Sequence, residues 1–215
     1  MAYKIKEIFL TLQGEGAQAG RVSVFCRFAG CNLWSGREKD RETAACRFCD
    51  TDFIGLNGNL GGKYTDQELA DLLWKVWNEG TDGSGVPYIV FTGGEPLLQL
   101  DDALIQECKQ KYGFEIAVET NGTQHPPTGI DWICVSPKPR SKQVLQKGHE
   151  IKLIYPQLEP EMTPEHFVHQ QFEHFYLQPM DGPKQTENIQ KTIQYCLKHP
   201  KWKLSLQTHK ITGIE

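Results

Sequence analysis

The sequence predicts an α/β chain built on a largely parallel sheet. Three observations carry this. Short apolar runs of strand length alternate with segments of helical period. Helix-start signals stand ahead of the helical segments. Most apolar runs lead directly into polar clusters, as strands do at the ligand-binding end of a parallel sheet.

Along the chain, Val22, Val24, Cys26 and Phe28 alternate with Ser23, Phe25, Arg27 and Ala29, which predicts a strand with two distinct faces. Thr65-Asp66-Gln67-Glu68 is a capping-box pattern and opens a helix through Leu69, Leu72, Leu73 and Val76. Strands follow at Tyr88 to Phe91 and Glu115 to Val118, separated by a helix from about Asp102 to Lys111. Further strands are expected at Trp132 to Val135, Ile151 to Tyr155, Phe175 to Leu177 and Lys203 to Leu206. Thr163-Pro164 predicts a helix start with proline in the first turn, and a last helix is expected from about Glu187 to Leu197. Five strand exits carry polar clusters: Thr92-Gly93-Gly94-Glu95, Glu119-Thr120-Asn121, Ser136-Pro137-Lys138, Gln178-Pro179-Met180-Asp181 and Gln207-Thr208-His209. They are expected to form one rim.

A length of 215 residues suits one domain, taken as 1–215 with no linker or repeat. The net charge of −4 gives no reason to expect nucleic acid or a membrane surface as partner. No apolar run reaches spanning length, and the N-terminal residues lack a secretory pattern, so a cytoplasmic location is expected. There the seven cysteines should remain reduced.

Four of those cysteines read as small buried hydrophobes: Cys26 on the apolar strand face, Cys108, Cys134 and Cys196. Cys31, Cys46 and Cys49 do not. They lie among Asn, Gly, Arg, Glu and Asp within nineteen residues, and Cys46 and Cys49 are spaced to face one metal. Two readings stand on spacing. Cys26 could complete a four-cysteine zinc site in a binding module, or three thiolates could hold an iron–sulfur cluster with one iron left open.

Cys46-Arg47-Phe48-Cys49 resembles the end of the radical S-adenosylmethionine (SAM) signature, with an aromatic before the last cysteine. Fourteen residues separate Cys31 from Cys46 where the family pattern has three, so about 32–45 reads as an insertion in the cluster loop. Gly93-Gly94-Glu95-Pro96 after a strand matches the second landmark. Within that superfamily, Leu12 to Gly16, Phe25 to Trp34, Cys49 to Asp52, Glu119 to Gly122, Ser136 to Lys138 and Gln178 to Gly182 resemble the 7-carboxy-7-deazaguanine synthase family. A glycyl-radical activating enzyme would share the cysteines but not Arg27 with the Leu-Gln-Gly-Glu-Gly run.

The resemblance implies a modified partial (β/α)6 radical SAM barrel with reduced helix content. It implies a [4Fe–4S] cluster on Cys31, Cys46 and Cys49, and SAM bound by Phe48, Cys49, Asp50, Gly93, Gly94, Glu95, Glu119, Ser136, Pro137, Lys138, Gln178, Pro179, Met180 and Asp181. The two glycines would let backbone approach the ligand. The implied substrate is 6-carboxy-5,6,7,8-tetrahydropterin, held by Leu12, Gln13, Gly14, Glu15, Arg27, Thr92, His209 and the C-terminal Glu215, with Arg27 gripping its carboxylate. Mg²⁺ would take Thr51 as protein ligand and bind mostly water and substrate oxygens otherwise. The implied reaction abstracts hydrogen from C6, contracts the ring, returns the hydrogen, and expels ammonia to give 7-carboxy-7-deazaguanine, on the route to queuosine and other 7-deazapurines. A homodimer and a flavodoxin-like electron donor are implied partners.

Overall fold

A computed structural model describes residues 2–157 and 159–214. In chain order the elements are β1 (Tyr3–Leu12), β2 (Val22–Phe28), β3 (Gly62–Tyr64), α1 (Asp66–Gly80), β4 (Tyr88–Gly93), α2 (Asp102–Tyr112), β5 (Glu115–Thr120), β6 (Trp132–Val135), β7 (Lys147–Tyr155), β8 (Gln171–Pro179), α3 (Gln185–Lys198), β9 (Lys203–Leu204) and α4 (Thr208–Thr212). One sheet takes the order β3-β1-β2-β4-β5-β6-β7-β8-β9. β1 pairs antiparallel with β2 and with β3, and every ladder from β2 to β9 is parallel.

The predicted capping box forms: the Thr65 hydroxyl accepts from the Glu68 amide at 3.3 Å, and the Glu68 carboxylate accepts from the Thr65 amide at 2.8 Å. Helix α1 buries Leu69, Ala70, Leu73 and Trp77, and α2 buries Leu104, Ile105 and Cys108. Both pack on one sheet face, where Val24, Cys26, Phe28, Ile89, Phe91, Ile116, Val118, Ile151, Leu153 and Leu177 complete the main core. Among the described residues, three long helices serve six parallel crossings, because β5 to β6, β6 to β7 and β7 to β8 are joined there without an α-helix. The reduced helix content is thereby met.

The opposite face is concave. Past β1, Gly16 donates to the Ser205 hydroxyl at 3.0 Å, and Thr208 donates its amide to Gly14 at 3.0 Å. Residues following β1 and β9, near the two ends of the sheet order, thus meet. An open sheet must curl through most of a barrel for this to happen.

Several expectations need correction. No α-helix follows Thr163-Pro164; two short 3-10 turns, Pro160–Met162 and Pro164–His166, stand there instead. β8 already begins at Gln171, so Met162, Pro164 and Phe167 are buried by a tight connection with no room for helical turns. The last strand stops at Leu204, since Ser205 turns its hydroxyl toward Gly16 and Gln178. Val22 is exposed, so the buried face of β2 starts at Val24. β1 has no counterpart in the sequence reading, because its register shifts between Ile5 and Glu7 and breaks the alternation.

Candidate active site

All five polar strand exits border one cavity of about 190 Å³ on the concave face. Thr92, Gly93 and Gly94 come from β4, Glu119 to Asn121 from β5, Ser136 and Lys138 from β6, Gln178 to Asp181 from β8, and Gln207 from the segment after β9. Cys46, Phe48, Cys49, Asp50 and Thr51 close one side. A second cavity, about 290 Å³, is lined by Leu12 to Glu15, Phe25, Arg27, His209 and Lys210 among others. Glu15, Asp50, Thr51, Thr92, Glu119 and Gln207 line both, so the two cavities share a wall.

The cysteine loop is positioned from three directions. Glu95 donates its amide to Gly30 at 2.9 Å and Gly94 donates to Phe28 at 3.2 Å, fastening the Gly-Gly-Glu-Pro turn to the end of β2 just before Cys31. A Cβ on Gly94 would stand 2.1 Å from the Gly30 carbonyl oxygen and 2.8 Å from the Cys31 Cβ; one on Gly93 would stand 2.3 Å from the Phe28 oxygen. These glycines are needed for contact between two protein backbones, not only for approach to a ligand. Within the insertion, Arg41 lies over Trp34 at 4.1 Å and donates to the carbonyls of Arg47 at 2.8 Å and Cys49 at 3.1 Å. Trp34, Ala44 and Phe53 form a small core under this loop, with Cys31 and Cys49 packed against it. Buried Lys6 of β1 holds the segment beyond Cys49, reaching Asp52 at 2.8 Å and the Ile54 carbonyl at 2.9 Å.

The donor set fits a cluster. Cys26, which a zinc tetrad would need, is fully buried in the main core with Val24 and Phe28, whereas Arg27 faces the second cavity. The Cys46 thiol donates to Cys49, whose thiol is lowered to about 6 against the cost of burial, with help from the nearby Lys138 ammonium. Cys46 is correspondingly raised. Burial also raises Cys31, opposed by the amides of Leu33 and Trp34. Thiolate ligands require this kind of charge support. Lys138 Nζ also stands 5.9 Å from the Phe48 ring centre.

The second cavity is polar at its ends and aromatic between them. Arg27 Nε donates to Glu7 at 2.7 Å, which aims the guanidinium and leaves both Nη groups without a protein partner among the described residues. Phe25 stacks on Phe9 with centroids 5.6 Å apart. The His209 ring packs on the Gly14 backbone, and burial lowers its pKa, so it stands neutral at pH 7. Glu15 accepts from Lys152 at 2.6 Å and from Gln178 and Gln207 at 3.0 Å each. Burial opposes its charge, but Lys152 outweighs that and lowers the carboxyl to about 2. Lys210 bridges Asp50 and Asp181, 2.6 Å from each.

Not every candidate residue faces a cavity. Glu95 is fully buried and lines neither; its carboxylate accepts from the Thr120 hydroxyl at 2.7 Å and the amides of Asn121 at 2.8 Å and Leu97 at 3.0 Å. That role is to fasten the exits of β4 and β5 together. Pro137 is buried and likewise outside both linings, as is Cys31, which is half-buried at the loop's start. Glu215 lies outside the described residues. Sequence reading missed Lys152, Gln207 as a contact of Glu15, Lys210 and Arg41. For Lys152 a signal existed: Glu150 and Lys152 alternate with Ile151 and Leu153, a charged face on an otherwise apolar strand.

Known proteins resemble this chain over most or all of its length. A family model described as the radical SAM superfamily matches residues 43–202. A 7-carboxy-7-deazaguanine synthase of Bordetella pertussis is 60% identical over 215 residues, covering both chains in full. That of Bradyrhizobium diazoefficiens is 61% identical, again over the whole of both chains. A crystal structure of QueE from Escherichia coli superposes with a TM-score of 0.71 at 25% identity, covering 96% of this chain and 94% of the other.

Proposed function

Since the chain belongs to the radical SAM superfamily and, within it, to the 7-carboxy-7-deazaguanine synthase family, we propose that it converts 6-carboxy-5,6,7,8-tetrahydropterin to 7-carboxy-7-deazaguanine with loss of ammonia. It is a lyase acting on a small molecule, in keeping with 7-deazapurine and queuosine biosynthesis. The observation that carries the assignment of its residues is the pair of cavities with a common wall, one bordered by Cys46 and Cys49 and the other by Arg27.

Cys31, Cys46 and Cys49 would hold the [4Fe–4S] cluster. When bound, the cluster together with SAM would supply the one-electron and hydrogen-abstraction chemistry. In the first cavity Phe48 to Asp50, Gly93, Gly94, Ser136, Lys138 and Gln178 to Asp181 would orient SAM, and Glu119 would accept from its ribose. Glu95 and Pro137 would act by holding those neighbours in place rather than by touching the cofactor.

In the second cavity Arg27 offers two parallel Nη donors to the pterin carboxylate. Leu12 to Gly14 offer backbone groups, and the ionised Glu15 an acceptor, to the guanidine-like edge. Thr92 and neutral His209 close the remaining sides, and His209 can take or return a proton at its free ring nitrogen. Thr51 lies in the common wall, where its hydroxyl would help to hold a Mg²⁺ ion that would supply positive charge beside the substrate site. The aromatic pair Phe9 and Phe25 excludes water beside the ring.

The reading extends to a single radical SAM core domain with 32–45 as an insertion, a homodimer, a flavodoxin-like electron donor and a cytoplasmic location. Among the described residues no helix is long and apolar enough to cross a membrane. The test is an anaerobic assay with SAM, a chemical reductant and the carboxytetrahydropterin. Formation of the deazaguanine acid supports the reading; reductive SAM cleavage without that product would leave the superfamily and remove the substrate.

A further inference from the structure

Resting on that functional reading, we infer that Lys152 is a positioning residue shared by both cavities. It fixes at once the carboxylate that faces the cofactor ribose and the carboxylate that faces the pyrimidine edge of the pterin. The lysine rises from β7 with 4% of its surface exposed. Its Nζ stands 2.6 Å from Glu15 Oε2 and 3.1 Å from Glu119 Oε2. Both carboxylates line both cavities. They come from opposite parts of the chain: Glu15 follows β1, and Glu119 lies near the end of β5.

The remaining oxygens are held as well. Glu15 Oε1 takes Gln178 and Gln207, and Glu119 Oε1 takes the Gln13 amide at 3.3 Å. A third acid, Glu150, stands two residues before Lys152 and accepts from the Ala17 amide at 2.9 Å. A buried ammonium is costly unless its partners repay it. Here its hydrogen-bond partners among the described residues are the two acids that the functional reading gives to ligands. Without the ammonium, Glu15 and Glu119 would face the same small space as uncompensated like charges, and each would swing away or take up a proton. Both ligands would then lose their acceptors through one residue that itself lines only the first cavity.

The test compares K152M, the double variant K152M/E119Q and the wild type after cluster reconstitution. Iron content and unfolding temperature are measured alongside SAM binding by equilibrium dialysis without turnover and the KM for the pterin. K152M is expected to keep its iron and to weaken both SAM binding and pterin KM by about tenfold or more, the scale of one lost charge-assisted bond. Neutralising Glu119 should relieve Glu15, so K152M/E119Q should regain most of the pterin KM while SAM binding stays weak. A merely structural ion pair would show no such split recovery. If K152M does not fold, K152R is read the same way: it keeps the charge, displaces the donor and should shift both constants in one direction. The inference is overturned if only one constant moves, if neither moves, or if the double variant matches K152M. Failure of the wild type to bind SAM or form product would strike the functional reading instead.

Discussion

Substituting alanine for Gly94 tests how the cysteine loop is held. The new Cβ would stand 2.1 Å from the Gly30 carbonyl oxygen, 2.5 Å from the Gly30 carbonyl carbon and 2.8 Å from the Cys31 Cβ. Lengthening the shortest of these to an ordinary 3.4 Å contact requires a shift of about 1.3 Å. Two of the three neighbours are backbone and cannot rotate aside. The Gly94 and Glu95 amides that bind Phe28 and Gly30 must give way with them. Overpacking of this kind costs about 3 kcal/mol, which for a chain of this size lowers the unfolding temperature by about 6–12 °C. The displaced residue is Cys31 itself, so iron uptake should fall further than stability. The assay is iron and sulfide per chain after anaerobic reconstitution, with thermal unfolding in parallel. G83A is the control: its added carbon meets nothing within 4 Å, so it carries only the backbone strain of a left-handed residue and no crowding. A G94A protein with the iron content and unfolding temperature of G83A would refute the argument that Gly94 sets the position of Cys31.

Three further outcomes follow from the geometry. C31A should abolish cluster uptake while C26A, which only trims the buried core, should retain full iron per chain; equal losses in both would restore a four-cysteine site. R27K keeps the charge but loses the two parallel donors that Glu7 aims, so pterin KM should rise about 10- to 100-fold with SAM binding in its absence unchanged. Glu15 is depressed to about 2 from an ordinary value of 4.5. Its stabilisation is therefore fully present above pH 4.5 and is lost as pH falls toward 2, with a slope of up to about 1.4 kcal/mol per pH unit. Chemical unfolding between pH 5 and pH 3 should show a steeper decline in the wild type than in E15Q, and matching slopes would count against the Lys152 pairing.

The sheet and its site were legible where chemistry and period coincided. The capping box set α1, and the two faces of β2 separated Cys26 from Arg27 without any structure. The polar exits of β4, β5, β6 and β8 marked the rim, because a parallel sheet leaves its strand ends to the loops. What could not be read was direction. Glu95 belongs to a recognisable motif, yet its carboxylate points into the protein and binds Thr120 and Asn121. The purpose of Gly94 could be seen only once Gly30 was beside it. Lys152, Gln207 and Arg41 act through partners remote in sequence, and Gln207 meets Glu15 across 192 positions. β1 was obscured by one irregular residue that moves Ile8 to the core and Phe9 toward the cavity.

The meeting of the two sheet ends has a mechanical consequence. Among the described residues no strand ladder joins β3 or β1 to β9. The half-barrel is closed there by one backbone bond, Thr208 to Gly14, and by side-chain bonds from Ser205, Gln207 and Thr208. Every other boundary between neighbouring strands would have to break a run of main-chain bonds to widen. This one rests on a handful of contacts among residues that include Glu15 and Gln207, which line both cavities. The seam is thus the most sparsely bonded joint of the shell, and one of the side chains it ties is Glu15 of the site.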